Sequence, residues 1–501
     1  MPSLLNGMEK SNSHFIVPRL WVRILLAIIV VFALVVVYFI WQFTRDVPVE
    51  YDKIEDHFKY GSLGGERNLG FPYWIFRALP QVCPEFLPRQ GYASLGMIYE
   101  KDRDLPIGMS KRRHQGIDRV FLNCAACHAS TVRDKPEAEP LIVLGVGANT
   151  FNLMGFEKFV FRCAADPRFS AEWIVPQIQA LGGDLNVVER KLIYPLAIYI
   201  MRERVLTLAG RFRFIWNQPD WGPGRVDTFS SGKALFNFPF ERLPRRELIG
   251  TADFPSIWNQ KQRQGMQLHW DGNNTKVEER NLNAAFGTGA TPPIVEHDQV
   301  KRIEDWLLTA QPPAYPFAID QALAGKGAPI YQQYCANCHG ASGKDFAGEA
   351  VGKVVAIEDI GTDRFRLDSF TLDLAMNMGA VYAGYEDHRF KNFRKTYGYA
   401  NMPLDGLWLR APYLHNGSVP TLKDLLEPSD KRPKEFYRGY DVYDQKNVGF
   451  ISSIAEEKGH KFFRYDTNVE GNDNKGHEGK TYGTELSVEE KAALIEYLKT
   501  F

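Results

Sequence analysis

The pentapeptide Cys124-Ala125-Ala126-Cys127-His128 returns later as Cys335-Ala336-Asn337-Cys338-His339. On one helical turn, such a repeat sets two thiols and an imidazole on a common face. This is the attachment pattern of c-type haem: the thiols add across two vinyl groups and the imidazole meets the iron. A zinc site would want four ligands at finger-like spacing, and no second Cys-x-x-Cys or His-x-x-x-His stands nearby. Two covalently bound haem c groups are therefore expected. Cys124, Cys127, Cys335 and Cys338 would hold them, with His128 and His339 as proximal ligands. Of 6 Cys, this leaves Cys83 and Cys163. Haem c is attached on the oxidising side of a membrane, where a Cys83–Cys163 disulfide is favoured over two free thiols.

The second constraint is Ile24 to Phe43, a nearly unbroken apolar run. It is long enough to cross a hydrocarbon layer of about 30 Å as one helix. Trp21, Tyr38 and Trp41 sit near its ends, where interfacial aromatics gather. Lys10, Arg19 and Arg23 precede it, which sets 1–23 in the cytoplasm. The run is too long for a signal-peptide core and no small-residue cleavage site follows. The reading is a single inner-membrane anchor at 24–43, with everything after it facing the periplasm. Lys plus Arg and Asp plus Glu both number 60, so nothing marks a nucleic-acid binder.

Residues 51–120 are rich in Gly, Pro and aromatics and read as irregular. Phe151–Ala180 and Val187–Trp216 read as helical, the second with Leu192, Leu196, Ile200 and Val205 interleaved with Arg and Glu. Val300–Leu308 reads as an amphipathic helix, and Gln311 to Pro316 as a stiff linker. A helix over Asp320–Tyr334 leads into the second pentapeptide. A capping box, Ser487 with Glu490, opens a last helix at Val488–Phe501. The expected fold is mostly α: two cytochrome c-type haem domains, at 51–312 with a helical insertion and at 316–501, behind one transmembrane helix.

Function turns on the face of each iron opposite its proximal His. Candidate ligands and pocket residues lie in three stretches: Gly250–Asn259 with Leu268–Asn273, Gly406–Ser418, and Gly471–His477. On the paired pentapeptides and on Ala411-Pro412-Tyr413-Leu414-His415-Asn416-Gly417-Ser418, the chain resembles the bacterial di-haem cytochrome c peroxidase superfamily. That superfamily includes MauG-type enzymes and rubber oxygenase. The helical block and the Gly-rich stretch Asn281–Pro293 are most similar to the rubber-oxygenase-like branch. The resemblance implies a reactive haem at His128, an electron-relaying haem at His339, and a Trp between them, for which Trp270 is the match. It implies His477 as second ligand of the His339 haem, with His415 and Met402 as rivals, and a His/His iron sits at lower potential than a His/Met iron. His269 would line the distal pocket of the first haem. The resemblance also implies a calcium ion between the domains, at Asn259 and the carbonyls of Arg410 and Pro412, although no acidic EF-type loop occurs.

Three departures set the chain apart from the peroxidases. No His stands near Thr251, no acid lies in Asn283–Gly289, and Ser429 occupies the place of a Met ligand. The leading expectation is a haem oxidoreductase activating oxygen or peroxide at the His128 haem. The alternative is a pure electron-transfer cytochrome serving a quinol-linked complex or another redox partner protein, and a MauG-like enzyme acting on a partner protein is a third. A tethered enzyme is poorly placed to degrade a bulk polymer, so rubber is not the expected substrate.

Overall fold

The computed structural model describes residues 19–385 and 388–501. Residues 1–18 of the expected cytoplasmic stretch, Lys10 included, lie outside them. Helix α1 (Arg19–Thr44) is the apolar run, and its described side chains are almost all exposed. Isoleucine and valine throughout leave it without a polar face, as suits a lipid-facing helix.

The chain then passes directly into strand β1 (Asp46–Pro48). β1 pairs antiparallel with β3 (Met109–His114), β3 with β4 (Ile117–Leu122), and β4 with β2 (Phe71–Pro72). Helices α2 (Ile54–Tyr60) and α3 (Tyr73–Val82) lie between these strands. The region read as irregular thus builds a four-stranded sheet. Its strands are short and its Arg and Lys alternate with few apolar residues, so period-two patterning is faint. Helix accounts for 43% of the chain and strand for 12%, so the expected mostly-α fold is corrected to a mixed one dominated by helices.

The helical block divides at Asp166-Pro167 into α5 (Leu153–Ala165) and α6 (Ala171–Ala180), the proline lacking the N–H that a continued helix would use. Helix α4 (Cys124–Cys127) is the turn of the first pentapeptide. A π-helical turn at Glu189–Ile193 leads into α7 (Tyr194–Arg211). Its buried face is Tyr194, Ile198, Met201 and Val205, while Leu192 and Leu196 face out. Of the four apolar positions marked in the sequence, only Val205 is buried. Cys83 and Cys163 form a disulfide that joins the end of α3 to α5.

In the C-terminal half the sequence signals hold closely. The helix before the linker runs His297–Leu307. Asp320 caps Gln321–Tyr334, and Ser487 and Glu490 make both bonds of the capping box ahead of Val488–Leu498. These last two helices pack against each other behind the second pentapeptide. One core holds the sheet, α3, α5, α6 and α7. A second holds C-terminal residues such as Trp408, Tyr443 and Leu494, but also Val132, Val143, Val146 and Trp258. The two halves therefore interlock, and this brings the pentapeptides to either side of a common seam.

Candidate functional site

Both pentapeptides fold as single helical turns. At α4, Asn123 caps the turn by accepting from the Ala125 N–H at 3.0 Å and ties it to α2 through the Gly61 carbonyl. Ala336–His339 forms the second turn, followed by Gly340 with φ 96°. All four thiols are unpaired, and burial pushes Cys124, Cys127 and Cys335 up to about 12 and Cys338 upward as well. Thiols so placed are neither nucleophiles nor metal thiolates, and conversion to thioethers removes the titration altogether. The donor sets fit two haem c attachment sites.

The two imidazoles are held differently. His339 Nδ1 donates to the Met402 carbonyl at 2.7 Å, which leaves Nε2 bare. The ring of His477 faces it, centroids 6.1 Å apart. Two metal–imidazole bonds of about 2 Å each across one iron call for roughly this separation. Burial pushes His477 down to about 3, with His339 and Arg432 adding to the effect. His477 has φ 49° and its N–H donates to the Ile360 carbonyl at 2.8 Å. A non-glycine residue in that conformation is held there by its surroundings.

Among the described residues, His128 has no second imidazole opposite it. Its nearest aromatic neighbour is Phe254, centroid 6.4 Å away and edge-on. Burial takes His128 down to about 3, Arg280 adds to this, and the Pro255 carbonyl opposes it. His269 is likewise taken to about 3, by burial and then Arg280, so one cation acts on both rings. His269 Nδ1 lies 2.6 Å from Asn273 Oδ1, which fixes the tautomer with Nε2 bare. Two residues here have no counterpart in the sequence reading. Arg280 is buried and meets no acidic side chain among the described residues. Glu157, whose charge reaches Cys127, is pushed up to about 8 by burial, with Lys158 opposing, and its Oε2 has no partner. Glu157 falls three residues before Val160 and four after Leu153, both buried. An acid on the apolar stripe of α5 was the signal that could have found it.

Between the two sites lies a small cavity of about 40 Å³, lined among others by Phe254, Trp270, Met402, Arg410 and Arg438. Phe254 neighbours His128, and Met402 carries His339. Trp270 Nε1 donates to the Asp253 carbonyl at 2.8 Å, and its own carbonyl accepts from Ala400 at 2.8 Å. The indole is thus pinned between the segment that frames the first site and the segment that frames the second.

Three candidates are corrected by this geometry. His415 does not reach His339: its ring stacks on Tyr399 at 4.0 Å, and its carbonyl accepts from Asp253. Met402 supports the proximal ring through its carbonyl, on the side away from a sixth ligand. Asn259 Nδ2 donates to Asp405 Oδ2 at 2.8 Å, and Asp405 also takes the guanidinium groups of Arg263 and Arg410. Two buried cations on one carboxylate leave no field for a third. The residues around Asn259 fit an internal ion-pair cluster and do not fit calcium.

Residues 398–438 match a family model described as RoxA-like, cytochrome c-like. That segment contains His415 and, from the wall of the cavity, Met402, Arg410 and Arg438. The uncharacterised protein y4iJ of Sinorhizobium fredii is 27% identical over 96% of this chain and 99% of its own length. The uncharacterised protein y4iM of the same organism is 30% identical over 56% of this chain and 72% of its own length. The chain belongs to the y4iM family. This member of the y4iM family carries a RoxA-like, cytochrome c-like segment, which suggests a protein of the haem c oxidoreductase kind.

Proposed function

We propose that the protein is a membrane-anchored, periplasm-facing di-haem cytochrome c that activates oxygen or peroxide at the His128 haem, with electrons relayed from the His339 haem past Trp270. The asymmetry of the two sites carries this reading: His339 faces His477 at 6.1 Å, whereas among the described residues His128 faces no second imidazole. Haem c bound at Cys124 and Cys127 would supply an iron with an exchangeable position, and haem c at Cys335 and Cys338 a low-potential electron store.

The chain's own groups suit those tasks. His269 presents a bare, unprotonated Nε2, because Asn273 holds its Nδ1 and burial keeps it neutral. Glu157 retains its carboxyl proton near neutral pH and is a candidate proton donor on the Cys127 side. Asp271 accepts from Asn273 Nδ2 at 2.9 Å and pairs with Arg366 at 3.5 Å, so the His269 side chain is braced from behind. Trp270 places an aromatic ring on the seam between the two pentapeptides.

The first experiment is an electron paramagnetic resonance spectrum of the oxidised protein with and without cyanide. One high-spin iron converted by cyanide beside one unchanged low-spin iron supports an oxidoreductase. Two low-spin irons indifferent to cyanide, before and after partial reduction, would make the protein an electron carrier, the reading that its anchoring helix also suits.

A further inference from the structure

We propose that the outer face of α7 is a second membrane contact, lying in the interface of the leaflet from which α1 emerges. The inference rests on α1 spanning the bilayer and goes beyond it by orienting the whole periplasmic body.

No slack separates α1 from the folded body. β1 begins two residues after α1 ends, and Asp46 pairs in register with His114. Asp46 is held by the guanidinium groups of Arg112, at 2.7 Å, and Arg67, at 2.6 Å. Arg112 is itself buried and also meets Glu66 and Glu296. The ring of Phe43 covers Gly116 at the tip of the β3–β4 hairpin, where an added Cβ would meet it at 3.2 Å. The end of the helix is thus clamped to one hairpin, and the body cannot swing on a tether.

Helix α7 stands beside that hairpin. Tyr194, Ile198, Met201 and Val205 share one core with Met109 and Val120 of the hairpin strands. Arg204 donates to the Asn68 carbonyl at 3.2 Å, and the Tyr194 hydroxyl, raised by burial, also feels Asp118 and Arg113 of the hairpin. On the opposite side of α7 and its π-helical turn, Leu192 is 63% exposed, Leu196 55% and Tyr199 63%. Val187 and Val188 extend the patch, and Lys191 is exposed at its edge.

The spacing of 192, 196 and 199 gives one continuous stripe along a helix whose other side is fully buried. A soluble body rarely leaves such a stripe to water. Here the helix starts beside the hairpin whose tip Gly116 is covered by Phe43 of the anchor. An interfacial helix buries its apolar face to roughly 5–10 Å, with basic side chains at the headgroups.

The test uses the full chain, one copy per lipid nanodisc, carrying Leu196→Cys or, as control, Val488→Cys on the exposed start of the last helix. Reaction with a water-soluble maleimide is followed by mass shift. The expected result is a rate at 196 about tenfold below that at 488, lost again when Leu192→Asp and Tyr199→Asp are added. Equal rates at 196 and 488 in incorporated protein overturn the surface contact alone. Release of the unmodified chain from membranes by alkaline carbonate overturns the anchor and the contact with it.

Discussion

The two pentapeptides are nearly the same sequence and sit in different environments. At His339, a carbonyl orients the ring from behind and His477 faces it from the front. At His128, the ring has Phe254 at its edge and Arg280, which also acts on His269, within electrostatic reach, and Glu157 lies near Cys127. The motif is the same in both places, and the surroundings differ: a second imidazole faces His339, and none is paired with His128 among the described residues. The cavity and Trp270 lie between the residues that frame the two sites.

The strongest test of this comparison removes attachment. Cys124→Ala with Cys127→Ala, or Cys335→Ala with Cys338→Ala, should each halve the haem content measured as pyridine haemochrome. A full complement in either double variant would break the equivalence of the two motifs. Next in size, His477→Ala should convert the low-spin iron of the second site to high-spin and raise its midpoint potential by on the order of 100 mV. His269→Ala should leave that signal untouched, and a shift there instead would exchange the roles of the sites. Trp270→Phe deletes the bond to the Asp253 carbonyl and the indole between the sites. Electron exchange between them, followed by rapid mixing, should slow about tenfold with both spectra unchanged.

The smallest effect concerns stability. His57 is buried with no partner for either ring nitrogen, and burial followed by Arg302 holds it down to about 4. Its unfolded form titrates near 6.5. As pH falls from about 6.5 toward 4, the unfolded state takes up a proton that the folded state refuses, and stability declines by up to about 3 kcal/mol. His57→Leu should flatten the slope of denaturant midpoint against pH over that window without altering either haem spectrum. An unchanged slope would assign the acid sensitivity to the histidines of the two sites.

Local signals were legible where chemistry or capping is encoded within a few residues. The long apolar helix, the helix leading into the second pentapeptide, the Ser487–Glu490 capping box and the pairing of Cys83 with Cys163 are all found where the chain was read to place them. His477 and Trp270 came through resemblance and lie where they can serve the roles it implied. Other readings failed for a common reason. Residues 51–120 read as irregular and hold α2 with the buried His57, because no helical period shows in a Gly- and aromatic-rich stretch. Leu192 and Leu196 read as core, because α7 has two apolar faces and hydrophobicity alone does not say which one the protein covers. His415 read as a possible ligand, because a His in a Gly-rich loop has the right chemistry whether or not it points at iron.

The sequence by itself determined what is covalent or local: four thiols and two imidazoles at fixed spacing, one membrane-length apolar run, and a handful of helix caps. Tertiary structure alone decided which imidazole faces which, since His339 and His477 lie far apart in the chain and meet only when the loop before the last helix folds over the second turn. It also decided that Asn259 meets Asp405, which binds two arginines, and that Leu192, Leu196 and Tyr199 are left on the exposed side of α7 and its leading turn. Side-chain chemistry is a property of residues. Coordination, field and exposure are properties of distances, and those exist only in the folded chain.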